Sequence, residues 1–268
     1  MVAVNEKTFF EQIDFPIERV PVYGVFNDEP IDTGKDSIIR TDLIEPKSLS
    51  VVSSKYALVT HEESFRSFTD AVSVLGKRHL ESYDIYNDGS SVHSKWRFPE
   101  HQIDIGNGDL VDLQLSVNNS YDLSCALNVI FGGFRLLCSN GMVIGRELTK
   151  ERFIHLGNID TGAIKNQLLE SAEVAMAEMK RRIQKLQKKK VKDTEELFEK
   201  IQKTGKISAK HVDAAKLIYL DPTYEADKER NMWSVLNAFT QYATHNLEGR
   251  VSEAVTEAAG KVVYGLAA

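Results

Sequence analysis

Seven apolar residues, Ile164, Leu168, Ala172, Met176, Met179, Ile183 and Leu186, recur at spacings of three and four over six turns. That period suits one face of a long amphipathic helix, about 159–190, whose seam has to be covered by something. Eight cations crowd its C-terminal end within thirteen residues: Lys180, Arg181, Arg182, Lys185, Lys188, Lys189, Lys190 and Lys192. A helix C-terminus favours positive charge and a solvated face tolerates it. Eight exceed what the dipole needs, and such a cluster is also able to neutralise several phosphates.

The residues before this helix follow a different period. Val20–Phe26 is a β-rich run turned by Asn27–Pro30, within a first fifty residues of short strands and loops. Phe65, Phe68, Val72 and Leu75 place a first helix at about 62–75, stopped by Gly76. Runs 82–86 and 91–98 flank Asn87-Asp88-Gly89-Ser90 and read as a hairpin. A third strand covers Leu110 to Val117, and further β material lies at 123–130 and 134–143. Gly132-Gly133 between those two runs suits either a tight turn or a bulge in one bent strand. Beyond the long helix, Asp193 and Glu196 form a capping box for a helix ending near Gly205. Ser208 caps another helix that stops at Asp221-Pro222, and two more cover about 230–246 and 250–264. Strands first and helices after predict an α+β fold, with an antiparallel sheet packed on long helices. The expected divisions are 1–50, 51–158 and 159–268.

Composition narrows the function classes. Of 268 residues, 42% are hydrophobic and 27% charged, which suits a globular core, and the net charge of −6 argues against a protein coated in basic charge. Two cysteines, Cys125 and Cys138, are too few for a disulfide framework or a Cys-rich zinc site. No membrane span is expected, and the opening stretch carries acids and no apolar h-region, so no signal peptide is expected either. Neither a phosphate loop nor a dinucleotide fingerprint occurs. His93, His101, Asp104, Asp109 and Asp112 match no ligand spacing, so no metal and no cofactor are expected. The acids Asp221, Glu225, Asp227 and Glu229 read as a helix approach. Cys138, in the apolar run Phe134–Cys138 with His155 seventeen residues on, reads as a buried thiol, and no catalytic residue is assigned.

The first hairpin mixes cations with aromatics: Lys77, Arg78, Tyr83, Tyr86, Lys95, Trp96 and Arg97. Strand alternation puts Lys95 and Arg97 on one face and Trp96 on the other. Cations beside aromatic platforms hold single strands without sequence preference, with Tyr83, Tyr86 and Trp96 as stacking candidates, although Trp96 also suits the core. Arg135 suits phosphate contact and pairing with a nearby acid equally.

Four stretches carry a family resemblance: Ser53–Phe65, Asn118-Asn119-Ser120-Tyr121-Asp122, Phe134–Met142 with its Arg-Leu-Leu-Cys-Ser-Asn-Gly run, and Trp233–Tyr242. With His155 they resemble a phage- and plasmid-like domain of unknown function, number nine hundred and thirty-two, over roughly residues 50–247. The resemblance implies a mobile-element protein acting in the host cytoplasm and brings no established activity. The order of elements is also similar to that of the single-strand annealing superfamily, which includes phage Erf and Red-beta proteins. Those form rings holding single-stranded DNA in a basic groove. The expected function is therefore a non-enzymatic, phage-encoded single-stranded DNA-binding protein that promotes annealing and recombination. Its expected partners are single-stranded DNA and further copies of itself, in a ring. The alternative is an oligomeric interaction protein acting on a host factor. Asn140-Gly141 is expected as a turn after a strand.

Overall fold

The computed structural model describes residues 4–106, 108–125, 127–137, 140–142, 150–153 and 161–267. The architecture is α+β. In chain order the elements are α1 (Glu6–Ile13), β1 (Ile17–Phe26), β2 (Glu29–Arg40), β3 (Lys47–Ser53), α2 (His61–Ala71), β4 (His79–Tyr86), β5 (Ser91–Asp104), β6 (Leu110–Ser120), β7 (Leu127–Arg135), β8 (Asn140–Met142) and β9 (Lys150–Phe153). The helical half follows as α3 (Thr161–Lys188), α4 (Thr194–Lys203), α5 (Ala209–Leu220), α6 (Met232–Asn246) and α7 (Gly249–Ala267). Three strands form one antiparallel sheet in the order β1-β2-β3, and a second sheet runs β4-β5-β6-β7-β8 with β9 also on β7.

The chain divides into two compact units. The first comprises Met1–Trp96, Ser116–Val129 and Glu151–Leu168, and the second Arg97–Leu115, Ile130–Lys150 and Leu169–Ala268. The boundaries of these units fall inside β5, β6 and β7.

In the first unit, Phe15, Ile38, Val52 and Tyr121 form a buried cluster, with Ile17, Leu49, Tyr56 and Leu58 packed against it. A ring cluster joins α1 to α2 and β5: Phe9 meets Phe65 at 5.1 Å and Trp96 at 5.9 Å, and Phe68 meets Trp96 at 5.9 Å. Helix α1 has no counterpart in the sequence reading. Its Asn5 cap accepts from the Lys7 N–H at 2.8 Å, and Phe9, Phe10 and Ile13 are its buried face.

In the second unit α6 is the central helix. Eleven of its fifteen residues are buried, and it packs against both α5 and α7. The described part of the α3 seam, Ala172, Met176, Met179, Ile183 and Leu186, is buried within this one chain. Each larger seam residue contributes roughly 1.5–3 kcal/mol by leaving water. That stretch of the seam is therefore covered within the chain itself. Ile164 and Leu168 lie outside the residues whose side chains are described.

Several local expectations shift by a few residues. Gly132 and Gly133 lie within β7, which begins at Leu127, whereas Leu123 sits in a turn at φ +62°. Arg135 pairs with Asn140 and Phe134 with Gly141, so Asn140-Gly141 belongs to a strand, and Leu136 and Leu137 after β7 are already in a turn. The β4–β5 connection is where expected. It is a single turn of 3₁₀ helix over Asn87–Gly89 in which Asn87 (φ 47°), Asp88 (φ 56°) and Gly89 (φ 93°) are all left-handed. Asn, Asp and Gly are the residues for which that conformation costs least.

Gly89 has a second constraint, because a Cβ there would lie 2.4 Å from the ζ carbon of Phe15. Gly89→Ala is expected to lower stability by roughly 1–3 kcal/mol through overpacking and the left-handed backbone. Helical Gly265, whose added Cβ would meet nothing within 4 Å, is the control, since Gly265→Ala should be neutral or stabilising by about 0.5–1 kcal/mol. Denaturant unfolding of both variants checks the pair.

Candidate functional site

The seam sets the rotation of α3, so residues on its opposite face point to solvent. Lys180, Arg181 and Lys188 are exposed there, and Lys189, Lys190 and Lys192 are exposed just past the helix end. That tail is pinned by its backbone to the start of α6. The Val191 N–H donates to the Arg230 carbonyl at 2.9 Å, the Met232 N–H donates to the Lys189 carbonyl at 2.9 Å, and Lys190 bridges Asn231. The lysines thus stand on a fixed backbone.

Acidic neighbours neutralise some of the eight cations. Arg181 and Arg182 both bind Glu178, through Arg181 Nε at 2.5 Å and Arg182 Nε at 2.7 Å. The hydrogen bond from Arg181, joined by that from Arg182, holds the Glu178 carboxyl down to about 2 against the opposing effect of burial. Lys190 donates to Glu229 at 2.7 Å. The side chains of Lys180, Lys188, Lys189 and Lys192 have no hydrogen-bond or ion-pair partner among the described residues. Arg182, besides its bond to Glu178, and Lys185 lie over the ring of Tyr264 on α7, with the guanidinium carbon 4.6 Å and the ammonium 5.3 Å from its centroid. Sequence reasoning missed Tyr264, which lies about eighty residues from the cluster and has no periodic signal linking the two.

The hairpin residues are used differently. Lys77 is exposed. Arg78 donates to Glu6 at 2.6 Å and lies 5.7 Å from the Trp96 ring centroid. As alternation predicts, Lys95 and Arg97 are half-buried on one face of β5 and Trp96 is on the other. Arg97 donates to the buried Asp112 at 3.0 Å, and Gln102 donates to the same carboxylate at 2.7 Å. Trp96 is fully buried, with its indole N–H donating to Ser94 at 2.7 Å, so the core takes the ring offered above as a stacking candidate. Tyr83 packs on Phe9 and donates to Gln12 at 3.0 Å, while Tyr86 meets His93 edge-on at 5.1 Å. Both tyrosines are half-buried.

Arg135 presents no surface to a ligand either, because it is completely buried between two carboxylates. Its Nε donates to both Asp109 oxygens at 2.9 and 2.7 Å, and Nη1 donates to both Asp227 oxygens at 2.8 and 2.9 Å. From α6, Asn237 donates to Asp227 at 2.9 Å, and the Trp233 ring centroid lies 5.7 Å from the guanidinium. Of the two alternatives for Arg135, pairing with acids is the one observed. Asp109 and Asp227, read from sequence as parts of a polar loop and a helix approach, are its partners.

A second buried network ties α2 to β6 in the first unit. His61 is fully buried. Its Nε2–H donates to the Gly89 carbonyl at 2.8 Å, while its Nδ1 accepts from Asn119 Nδ2 at 3.0 Å. Asn119 also donates to Ser64 at 3.2 Å, and the Tyr121 hydroxyl accepts from the His61 backbone N–H at 2.7 Å. Burial pushes the Tyr121 phenol well above its ordinary value, so it stays protonated. Cys138 and His155 lie outside the described residues. Among the described residues no group of three or more His, Cys, Asp or Glu is placed to hold a metal ion.

Deleting the Arg135 charge would leave two carboxylates buried without a cation. Arg135→Met is expected to cost about 3–5 kcal/mol, whereas Lys188→Ala on the solvated face should stay within about 0.5 kcal/mol. Denaturant unfolding monitored by Trp fluorescence checks this contrast, and equal stabilities would contradict the buried placement of Arg135.

No curated protein and no solved structure matches the chain. A family model described as Domain of unknown function (DUF932) matches residues 48–261, most of the chain, and the chain accordingly belongs to that family.

Proposed function

We propose that this protein is a non-enzymatic, phage-encoded single-stranded DNA-binding protein that promotes annealing and recombination, with the end of α3 holding the phosphate backbone. The observation carrying this reading is the unneutralised set Lys180, Lys188, Lys189 and Lys192, exposed and without side-chain partners among the described residues. Lys180 and Lys188 lie about 12 Å apart along the helix axis, and the pinned tail extends the same charge past the helix end. Binding of this kind is electrostatic, so it needs no metal, and the chemistry asked of the protein is limited to screening phosphates while leaving bases free to pair. The overall charge of −6 opposes binding at long range, which makes salt the variable that matters.

Anisotropy of a labelled single-stranded oligonucleotide tests the proposal. About four phosphate contacts give a log–log salt slope near −3. Replacing Lys188, Lys189 and Lys192 by Ala should cut that slope to about −1 and abolish acceleration of complementary-strand annealing, with unfolding unchanged. An unaltered slope removes the cluster from the account.

A second reading, an oligomeric interaction protein acting on a host factor, is supported by the tip of the β1–β2 hairpin. Tyr23, Val25, Phe26 and Ile31 are 59%, 76%, 65% and 51% exposed there. Under this reading Val25→Ser with Phe26→Ser lowers the mass seen by light scattering and leaves oligonucleotide affinity unchanged. A wild-type monomer would remove it.

A further inference from the structure

Resting on the single-strand reading above, we infer that Tyr264 is the residue that contacts unpaired bases at the α3 site and confers preference for single-stranded over duplex DNA. The aromatics sought in the first hairpin belong to the other compact unit, where Trp96 is core and Tyr83 packs on Phe9. Tyr264 stands within the cation set itself. Arg182 and Lys185 lie over its ring, and its hydroxyl is among the groups that reinforce the charge of Arg181, after the larger effect of Glu178.

Residues 181, 185 and 188 follow one another at spacings of four and three, so Lys185 over the ring and the unpartnered Lys188 share one stripe of α3. A strand whose phosphates follow Lys188 therefore passes the Tyr264 ring. The ring is half-buried, and beside it the exposed Gly265 adds no side chain, since even an added Cβ would meet nothing within 4 Å. Aromatic faces stack on any unpaired base and find none in a closed duplex, and an adjacent guanidinium adds cation–π attraction. The lysines supply affinity that depends on salt, and the tyrosine supplies the discrimination.

The test uses the full chain with a labelled single-stranded 30-mer and the same sequence as a duplex. Tyr264→Leu should weaken single-strand binding about tenfold, leave duplex binding and the salt slope unchanged, and so erase the preference. Tyr264→Phe restores the ring and should recover most of the single-strand affinity. Tyr264→Trp supplies a readout that a purely structural role would not move. The native Trp96 and Trp233 are 0% and 2% exposed, so quenching of the new fluorophore by the single strand, and not by the duplex, reports stacking. Single-strand affinity unchanged in Tyr264→Leu, or no quenching in Tyr264→Trp, overturns the assignment while the lysine reading stands. A wild-type protein that binds neither probe at low salt overturns both.

Discussion

Burial of the seam from Ala172 to Leu186 is the constraint on which the rest of the second unit depends. Those side chains are 0–8% exposed, and because they lie on one stripe they leave α3 a single rotation about its axis. That rotation decides which cations face water. Arg182 and Lys185, nearer the seam, settle on Tyr264, while Lys180 and Lys188 on the outer face are left to solvent. The functional reading is a consequence of packing: the apolar period places the lysines, and Glu178 and Glu229 select which of them remain uncompensated.

The family resemblance has a physical content distinct from that surface. His61 and Ser64 from the first stretch, Asn119 and Tyr121 from the second, Arg135 from the third, and Trp233 and Asn237 from the fourth are all buried. They form two polar networks, one centred on His61 and one on Arg135. Buried polar groups are costly unless every partner is in place, so such residues must occur as sets. The four stretches that carry the resemblance thus supply buried polar contacts within each unit. Lys180 and Lys188 of α3, which no buried partner constrains, are the ones the proposal assigns to the phosphate backbone.

Much of the fold was legible because the sequence periods are strong. The long helix, the hairpin over Asn87-Asp88-Gly89 and the capping of α4 by Asp193, which accepts from the Glu196 N–H at 3.0 Å, all lie where local chemistry puts them. What was not legible depends on tertiary contact. Helix α1 is eight residues long, and its phenylalanines read as helix only once Phe65 and Trp96 are there to receive them. Gly132-Gly133 suits either a turn or a bulge on local propensity alone, and it is strand pairing, such as that of Gly133 with Met142, that places both inside β7. The candidate site was half legible. The cations were plain and Glu178 stands three and four residues before Arg181 and Arg182, a helical spacing, but the pairing of Lys190 with Glu229 and the contact of Arg182 and Lys185 with Tyr264 join residues that no spacing rule connects.

Lysine footprinting tests the central claim most directly. Brief amine acetylation of the full chain, with and without a single-stranded oligonucleotide, is read residue by residue by mass spectrometry. The account predicts protection of Lys180, Lys188, Lys189 and Lys192, with no change at exposed lysines held by glutamate elsewhere, such as Lys200 and Lys203. Uniform labelling with the oligonucleotide bound, or protection confined to Lys77 and Lys95, would contradict it.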